Sequence, residues 1–187
     1  QRLVSALNTY LAAVIGEILK QNGIVNKFAR DNAMAIWNVP VECEGHALWA
    51  IKAAVKTQYA IEALRRKEKT LPKMEFGIGI NTGRVVAGNL GSQERMEYSV
   101  IGDVVNTAAR LADAAPAGKV WVGANTFKQA KDYIQAMSLD PIEVKGKRKA
   151  IQAYEILDIT KGKLVDRIPH ANKDTRVSVT NHEVNLY

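Results

Sequence analysis

Hydrophobic positions change period several times along the chain, and each change marks an element. From Arg2 to Gln21, Leu3, Leu7, Leu11, Val14, Ile15 and Ile18 recur at three- and four-residue intervals, which predicts an amphipathic helix. Asn22-Gly23 supplies its stop. The stripe Leu3–Leu7–Leu11–Ile15 reads as core or subunit interface rather than as a lipid-facing surface. Ile24–Phe28 and Ala33–Trp37 read as strands around the polar turn Ala29-Arg30-Asp31-Asn32, which predicts a hairpin. Pro40 breaks that pattern, and a second helix is expected over Gly45–Arg66, rich in Ala, Leu and charged residues. Met74–Asn81 reads as a strand with Phe76, Ile78 and Ile80 on one face; the glycines between them fit close packing by a neighbour or a ligand. Arg84–Leu90 is expected to continue the sheet, Gly91–Arg95 to turn, and Tyr98–Ile101 to precede a helix over Val104–Ala114.

Pro116-Ala117-Gly118 then separates that helix from a strand at Val120–Val122, followed by a helix over Thr126–Tyr133. Ile142–Lys145 and Ala150–Leu157 frame a basic turn at Gly146–Lys149. From Lys161 the chain is polar and punctuated; Arg176–Val179 is read as an extra strand or as a tail ordered by a neighbour. There is no internal repeat. Alternating helices and strands predict an α/β or α+β sheet without fixing its strand order.

Composition narrows the class. The 187 residues, 47% hydrophobic and 24% charged, suit one globular domain with a small extension. The single cysteine, Cys43, excludes an intrachain disulfide framework, and its isolation gives no activated thiolate pair. His46, His170 and His182 are too scattered for a zinc motif, and His46 reads as a packing residue at a helix start. No run of about 18 uninterrupted apolar residues marks a membrane span, and no secretory cleavage pattern opens the chain. Lys plus Arg is 26 against 19 Asp plus Glu, a formal charge of +7 that suits anionic partners in general. Aromatic residues, at 6%, are not interleaved with the basic turn, which argues against a nucleic-acid module.

Candidate chemistry is sparse residue by residue. Asp31, beside Asn32 in a turn, reads first as a turn stabiliser and second as a metal carboxylate. Gly77, Gly79, Gly83 and Gly88 match neither a P-loop nor a dinucleotide fingerprint. Asn106 and Arg110, at i and i+4, share a helix face able to orient a phosphate. Lys145, Lys147, Arg148 and Lys149 either grip phosphate or are simply solvated.

Taken in order, several segments resemble the catalytic domain of class III nucleotidyl cyclases: KFARDNAMAIW at Lys27–Trp37, FGIGINTGRVVAGNLGS at Phe76–Ser92, YSVIGDVVNTAARL at Tyr98–Leu111 and VKGKRKAIQAYEI at Val144–Ile156. The resemblance runs from about Leu3 to Leu157 and is most like bacterial adenylyl cyclases. It implies an α+β fold, a mostly antiparallel sheet flanked by helices with a ferredoxin-like core. Residues 1–157 would form the catalytic domain and residues 158–187 a carboxy-terminal extension. It implies a homodimer with active sites at the subunit interface. Each site would turn ATP into 3′,5′-cyclic AMP and pyrophosphate, with two Mg²⁺ or Mn²⁺ ions assisting attack of the ribose 3′-oxygen.

By the same resemblance Asp31 is the second metal aspartate and Arg84 a triphosphate-binding arginine. Lys27 and Ser99 read the base, Asn106 positions the ribose, Arg110 steadies charge on the α-phosphate, and Lys147 binds the triphosphate. Adenine offers its N1 acceptor to a lysine, whereas guanine presents an N–H there, so Lys27 favours ATP. Two features depart from the family. Its first strand, carrying the first metal aspartate, has no counterpart before the opening helix. Arg30 also stands where a glycine usually precedes the hairpin aspartate; it either points outward or marks a weakened or regulatory homologue. A noncatalytic cyclase-like dimerisation or nucleotide-binding module is the second reading, and a guanylyl cyclase the third. A cytosolic catalytic segment is expected, attached to regulatory or sensory domains in a soluble or membrane-bound parent, with no nucleic-acid partner.

Overall fold

A computed structural model describes residues 2–29, 32–92, 94, 96–142, 150–160 and 183–186. Helix α1 runs Arg2–Lys20. It ends where the Ile18 carbonyl accepts from the backbone N–H groups of Gln21 and Gly23 while Asn22 adopts φ 60°. The buried row is Ala6, Tyr10, Val14 and Ile18, at four-residue steps. The stripe expected to be core or subunit interface lies beside this row: Leu3 is 63% exposed, and Leu3, Leu7 and Leu11 line a cavity. Tyr10 decides the rotation. Its hydroxyl donates to the Pro72 carbonyl at 3.2 Å and its ring meets Phe76, so a residue less apolar than leucine sits deepest. By length and composition Leu3–Lys20 is also apolar enough to cross a membrane, yet its Ala6–Ile18 row is buried within the domain.

The hairpin forms as expected, with β1 (Ile24–Ala29) antiparallel to β2 (Asn32–Trp37). Arg30 and Asp31, at its turn, lie outside the described residues. Helix α2 spans His46–Lys67. Cys43, just before it, is buried, and desolvation pushes its thiol up to about 11, the opposite of an activated thiolate.

Strand β3 (Ile78–Arg84) begins at Ile78 rather than Met74. The Phe76 carbonyl is taken by Gly118 N–H at 3.1 Å and by Gln58 Nε2 at 2.8 Å, and the ladder starts only where Ile78 meets Val120. Strands β4 (Val86–Gly91) and β5 (Met96–Ile101) form a separate two-stranded sheet instead of prolonging the main one. Val85 causes the break: it turns inward beside Ile36, Val39, Val100 and Ala108. Helix α3 (Asp103–Ala114), strand β6 (Val120–Gly123) and helix α4 (Ala124–Ala130) follow, and Lys131–Tyr133 closes α4 as a 3₁₀ turn. Strand β7 (Ile134–Ser138), which the hydrophobic pattern did not reveal, pairs with β8 (Ala153–Ile159).

A short strand β9 (Glu183–Leu186) completes a seven-stranded sheet of order β1-β2-β9-β3-β6-β8-β7. Only the β3–β6 pair is parallel among these neighbours. The mostly antiparallel α+β expectation therefore holds. Arg176–Val179, the stretch read as an extra strand, lies outside the described residues. In the strand order, β9 joins the hairpin to the rest of the sheet, pairing Trp37 with Asn185 on one side and Thr82 with Asn185 on the other.

Alternation along β3 sorts its neighbours. Ile78, Ile80 and Thr82 are buried, the isoleucines in the core that α1 and α2 also fill, and Thr82 Oγ1 meets Thr126 Oγ1 of α4 at 2.8 Å. Gly77 and Gly79 face the backbone of α3 and its C-terminal end, and Gly83 faces the Val104 side chain. A Cβ at Gly79 would overlap the Ala112 backbone nitrogen and stand 2.5 Å from the Ala108 carbonyl oxygen.

Gly79→Ala should therefore cost more than about 3 kcal/mol of stability, since the obstacle is backbone and cannot rotate away. Gly88→Ala, which meets open space, should stay within about 0.5 kcal/mol; denaturant midpoints compare the two. A second prediction concerns Glu155, buried on β8, which accepts from Lys119 Nζ at 2.7 Å and Trp121 Nε1 at 3.3 Å. The Lys119 hydrogen bond outweighs burial and, with Trp121, holds this carboxyl below its usual value of 4.5. Its stabilising contribution is complete above that unfolded value and is lost as pH falls through the lower folded one. Glu155→Gln should lower stability at neutral pH and flatten the acid-side loss, read as unfolding midpoints between about pH 3 and about pH 7.

Candidate active site

Helix α3 carries the first group. Val104, Ala108, Leu111 and Ala112 face the sheet, because Gly77, Gly79, Gly83 and Gly123 leave room for them. At about 100° per residue, Asn106 and Arg110 then fall on the helix face turned away from β3. Asn106 is exposed and Arg110 half-buried. Arg110 Nη1 is buried without a hydrogen-bond partner among the described residues, a donor held out of water with no acceptor supplied.

Asn106 also lines a cavity of about 790 Å³ between the hairpin, α1, β3 and α3. Lys27 from β1 lines the same cavity, as do Asn32, Met34, Phe76 and Asp113. Two residues singled out from distant segments thus border one space. Its wall includes Asn32–Met34 of β2, Gly77 and the first residues of β3, Ile78 and Gly79, the stretches beyond the last β9 pairs at Ile36 and Asn81.

Ser99, on β5, is half-buried and does not line that cavity. It is brought to the neighbourhood of Lys27 by Asn26, which sequence reasoning passed over. Asn26 Nδ2 donates to the Tyr98 carbonyl at 2.9 Å, and Ser99 Oγ donates to Asn26 Oδ1 at 3.4 Å. The only local signal for Asn26 was its place next to Lys27; its partners lie more than seventy residues away.

Arg84 closes β3, exposed, opposite Glu183 in the β9 register. It lines no part of the cavity. Asp31 and Lys147 lie outside the described residues. Among the described residues no group of three or more His, Cys, Asp or Glu converges to hold a metal ion, so they do not assemble a metal centre by themselves. An apolar surface adjoins the site: Phe28 on β1 and Val86, Met96 and Ile101 on the β4–β5 hairpin are exposed, Val86 by 63%.

The family model described as the adenylate and guanylate cyclase catalytic domain matches residues 1–158. Adenylate cyclase 1 of Rhizobium meliloti (strain 1021) is 28% identical over 86% of this chain and 25% of its own length. The terminal-differentiation-specific adenylate cyclase of Dictyostelium discoideum is 30% identical over 83% of this chain and 8% of its own. The chain thus spans at most a quarter of either relative. Among solved structures, the adenylyl cyclase CyaB from P. aeruginosa superimposes with a TM-score of 0.80 at 32% identity, covering 85% of this chain and 84% of that one. The guanylyl cyclase Cya2 gives 0.78 at 26% identity, covering 87% and 83%.

Proposed function

This chain belongs to the adenylate and guanylate cyclase catalytic-domain family, and we propose that it is the catalytic segment of an adenylyl cyclase working as a homodimer. The observation that carries the reading is the outward face of α3, where Asn106 borders the cavity and Arg110, one turn on, holds a buried Nη1 donor without an acceptor among the described residues. A donor in that state matches an anionic oxygen supplied from outside the fold.

In the proposed reaction the ribose 3′-oxygen of ATP forms a bond to the α-phosphorus, the bond from that phosphorus to the bridging β-oxygen breaks, and pyrophosphate leaves with the electron pair. The 3′-hydroxyl proton passes to solvent. Negative charge grows on the non-bridging α-oxygens, where Arg110 donates; an already oriented guanidinium stabilises the transition state without reorganising. Asn106 orients the ribose. Lys27 donates to adenine N1 and Ser99 faces its exocyclic amine, while Arg84 and Lys147 bind the triphosphate. Mg²⁺ or Mn²⁺ ions remain part of the proposal through the family resemblance, with Asp31 the carboxylate assigned to them; when bound they neutralise phosphate charge.

The dimer rests on a physical ground as well. The apolar residues of the β4–β5 hairpin and Phe28 form exposed surface of the kind that marks association sites. Family neighbours include a guanylyl cyclase; Lys27, a poor partner for guanine N1–H, favours the adenine reading.

Cyclic AMP and cyclic GMP formation by the parent protein, with Mg²⁺ and with Mn²⁺, tests the proposal; a folded dimer that makes neither product overturns it. Arg110→Ala should lower turnover about 100-fold or more, with a smaller change in KM. Equal turnover removes Arg110 from the transition state. Val86→Asp with Ile101→Asp, partners in the β4–β5 register, should convert dimer to monomer in sedimentation and abolish turnover in parallel. A monomer with full turnover would exclude a shared site.

A further inference from the structure

Strand β1 does not run evenly along β2. Val25 pairs with Ala35 and Lys27 with Met34, so Asn26 is an extra residue at a bulge. A bulge re-aims the side chain of the residue it leaves unpaired. Here Asn26 crosses to the other sheet, and its two contacts there have a fixed polarity.

The Tyr98 carbonyl oxygen, 2.9 Å from Asn26, can only accept, so the amide nitrogen must face it. The amide oxygen then points the other way, towards Ser99 Oγ at 3.4 Å. Oδ1 can likewise only accept, so the Ser99 hydroxyl proton is directed to Asn26. What Ser99 has left to offer is lone pairs. At 3.4 Å the bond is long and weak, so it biases the hydroxyl towards accepting from other groups rather than locking it.

We propose that Asn26 is a specificity-determining positioning residue: by orienting the Ser99 hydroxyl it selects a purine nucleotide bearing an exocyclic amine over one bearing an exocyclic carbonyl. The amine at adenine C6 donates and suits an acceptor; the oxygen at guanine C6 accepts and meets another acceptor. The inference rests on the reading of Lys27 and Ser99 as the base-reading pair. It divides the labour between them: Lys27 addresses N1, and Asn26 acts through Ser99 on the adjoining substituent. It also explains why selectivity need not reside in Ser99 alone, since a hydroxyl without Asn26 rotates to suit either base.

The test is displacement of a fluorescent ATP analogue by ATP and by GTP from the parent protein, an equilibrium readout that needs no turnover. Wild type should prefer ATP. Asn26→Ala should reduce the ATP-to-GTP preference about fivefold to tenfold, one hydrogen bond's worth, mainly by improving GTP. Ser99→Ala should also reduce it, and the double variant should match Ser99→Ala, because Asn26 acts only through that hydroxyl. Equal weakening of both nucleotides in Asn26→Ala, or additive losses in the double variant, overturns the proposal and leaves Asn26 a strut between sheets. A wild type that binds both nucleotides equally, or neither, removes the base-reading pair and this inference with it. Preferential ATP binding that responds to Asn26 without any cyclic product overturns the enzyme reading and leaves this one standing.

Discussion

The approach of α3 to β3 at backbone distance is the constraint on which the remainder turns. It exists because Gly77, Gly79 and Gly83 present no side chain on the face that α3 covers, a face interrupted only by Asn81. The intervening Ile78 and Ile80 fill the opposite face, so one heptapeptide is at once a helix seat and a wall of the main core. With no side chain between Gly79 and the Ala108–Ala112 backbone, helix and strand have little freedom to shift or roll there. The Asn81 side chain donates to the Val104 carbonyl at 3.2 Å and pins the start of the helix along the strand. Asn106 and Arg110 inherit their direction from this contact.

The other half of the candidate site is held more lightly. Lys27 sits on a hairpin that reaches β3 through the four-residue β9, and Ser99 on a hairpin that belongs to a separate sheet. Hydrophobic packing around Ile36, Val85 and Val100 brings the two hairpins together, and Asn26 adds directional bonds across the junction. The rigid element therefore carries the groups proposed to meet the phosphate and ribose, and the tethered elements carry those proposed to meet the base. Such a division suits a reaction whose geometry must be exact at phosphorus yet tolerates small adjustments at the purine.

Much of this was legible in sequence where the information is local. The alternation in GIGINTG foretold a strand with one bare face, and the i, i+4 spacing of Asn106 and Arg110 foretold a shared helix face. Site residues themselves came from ordered motifs, not from any single residue's chemistry. What escaped was non-local. The place of Tyr10 in the buried row of α1 escaped because it gains a carbonyl partner and a ring contact that no hydropathy pattern contains. Strand β9 alternates polar and apolar residues over only four positions, too few to announce a strand, and is defined by the two strands it joins. Asn26 was invisible for the same reason: a bulge is a mismatch between two strands, and one strand's sequence does not reveal it.

The buried Nη1 of Arg110 gives the arrangement its energetic sense. A donor withheld from water without an acceptor costs about 1–3 kcal/mol in the free fold. Relaxation would remove that cost if the helix could roll or the side chain swing out. The glycine seat opposes the first route. In the proposed reaction an anionic oxygen would supply the acceptor that the described residues do not. Stabilisation so arranged is largest where negative charge is greatest, which in phosphoryl chemistry is the transition state rather than the bound substrate. The same glycines that give β3 its helix-facing surface would thus also set how strongly Arg110 discriminates between the two.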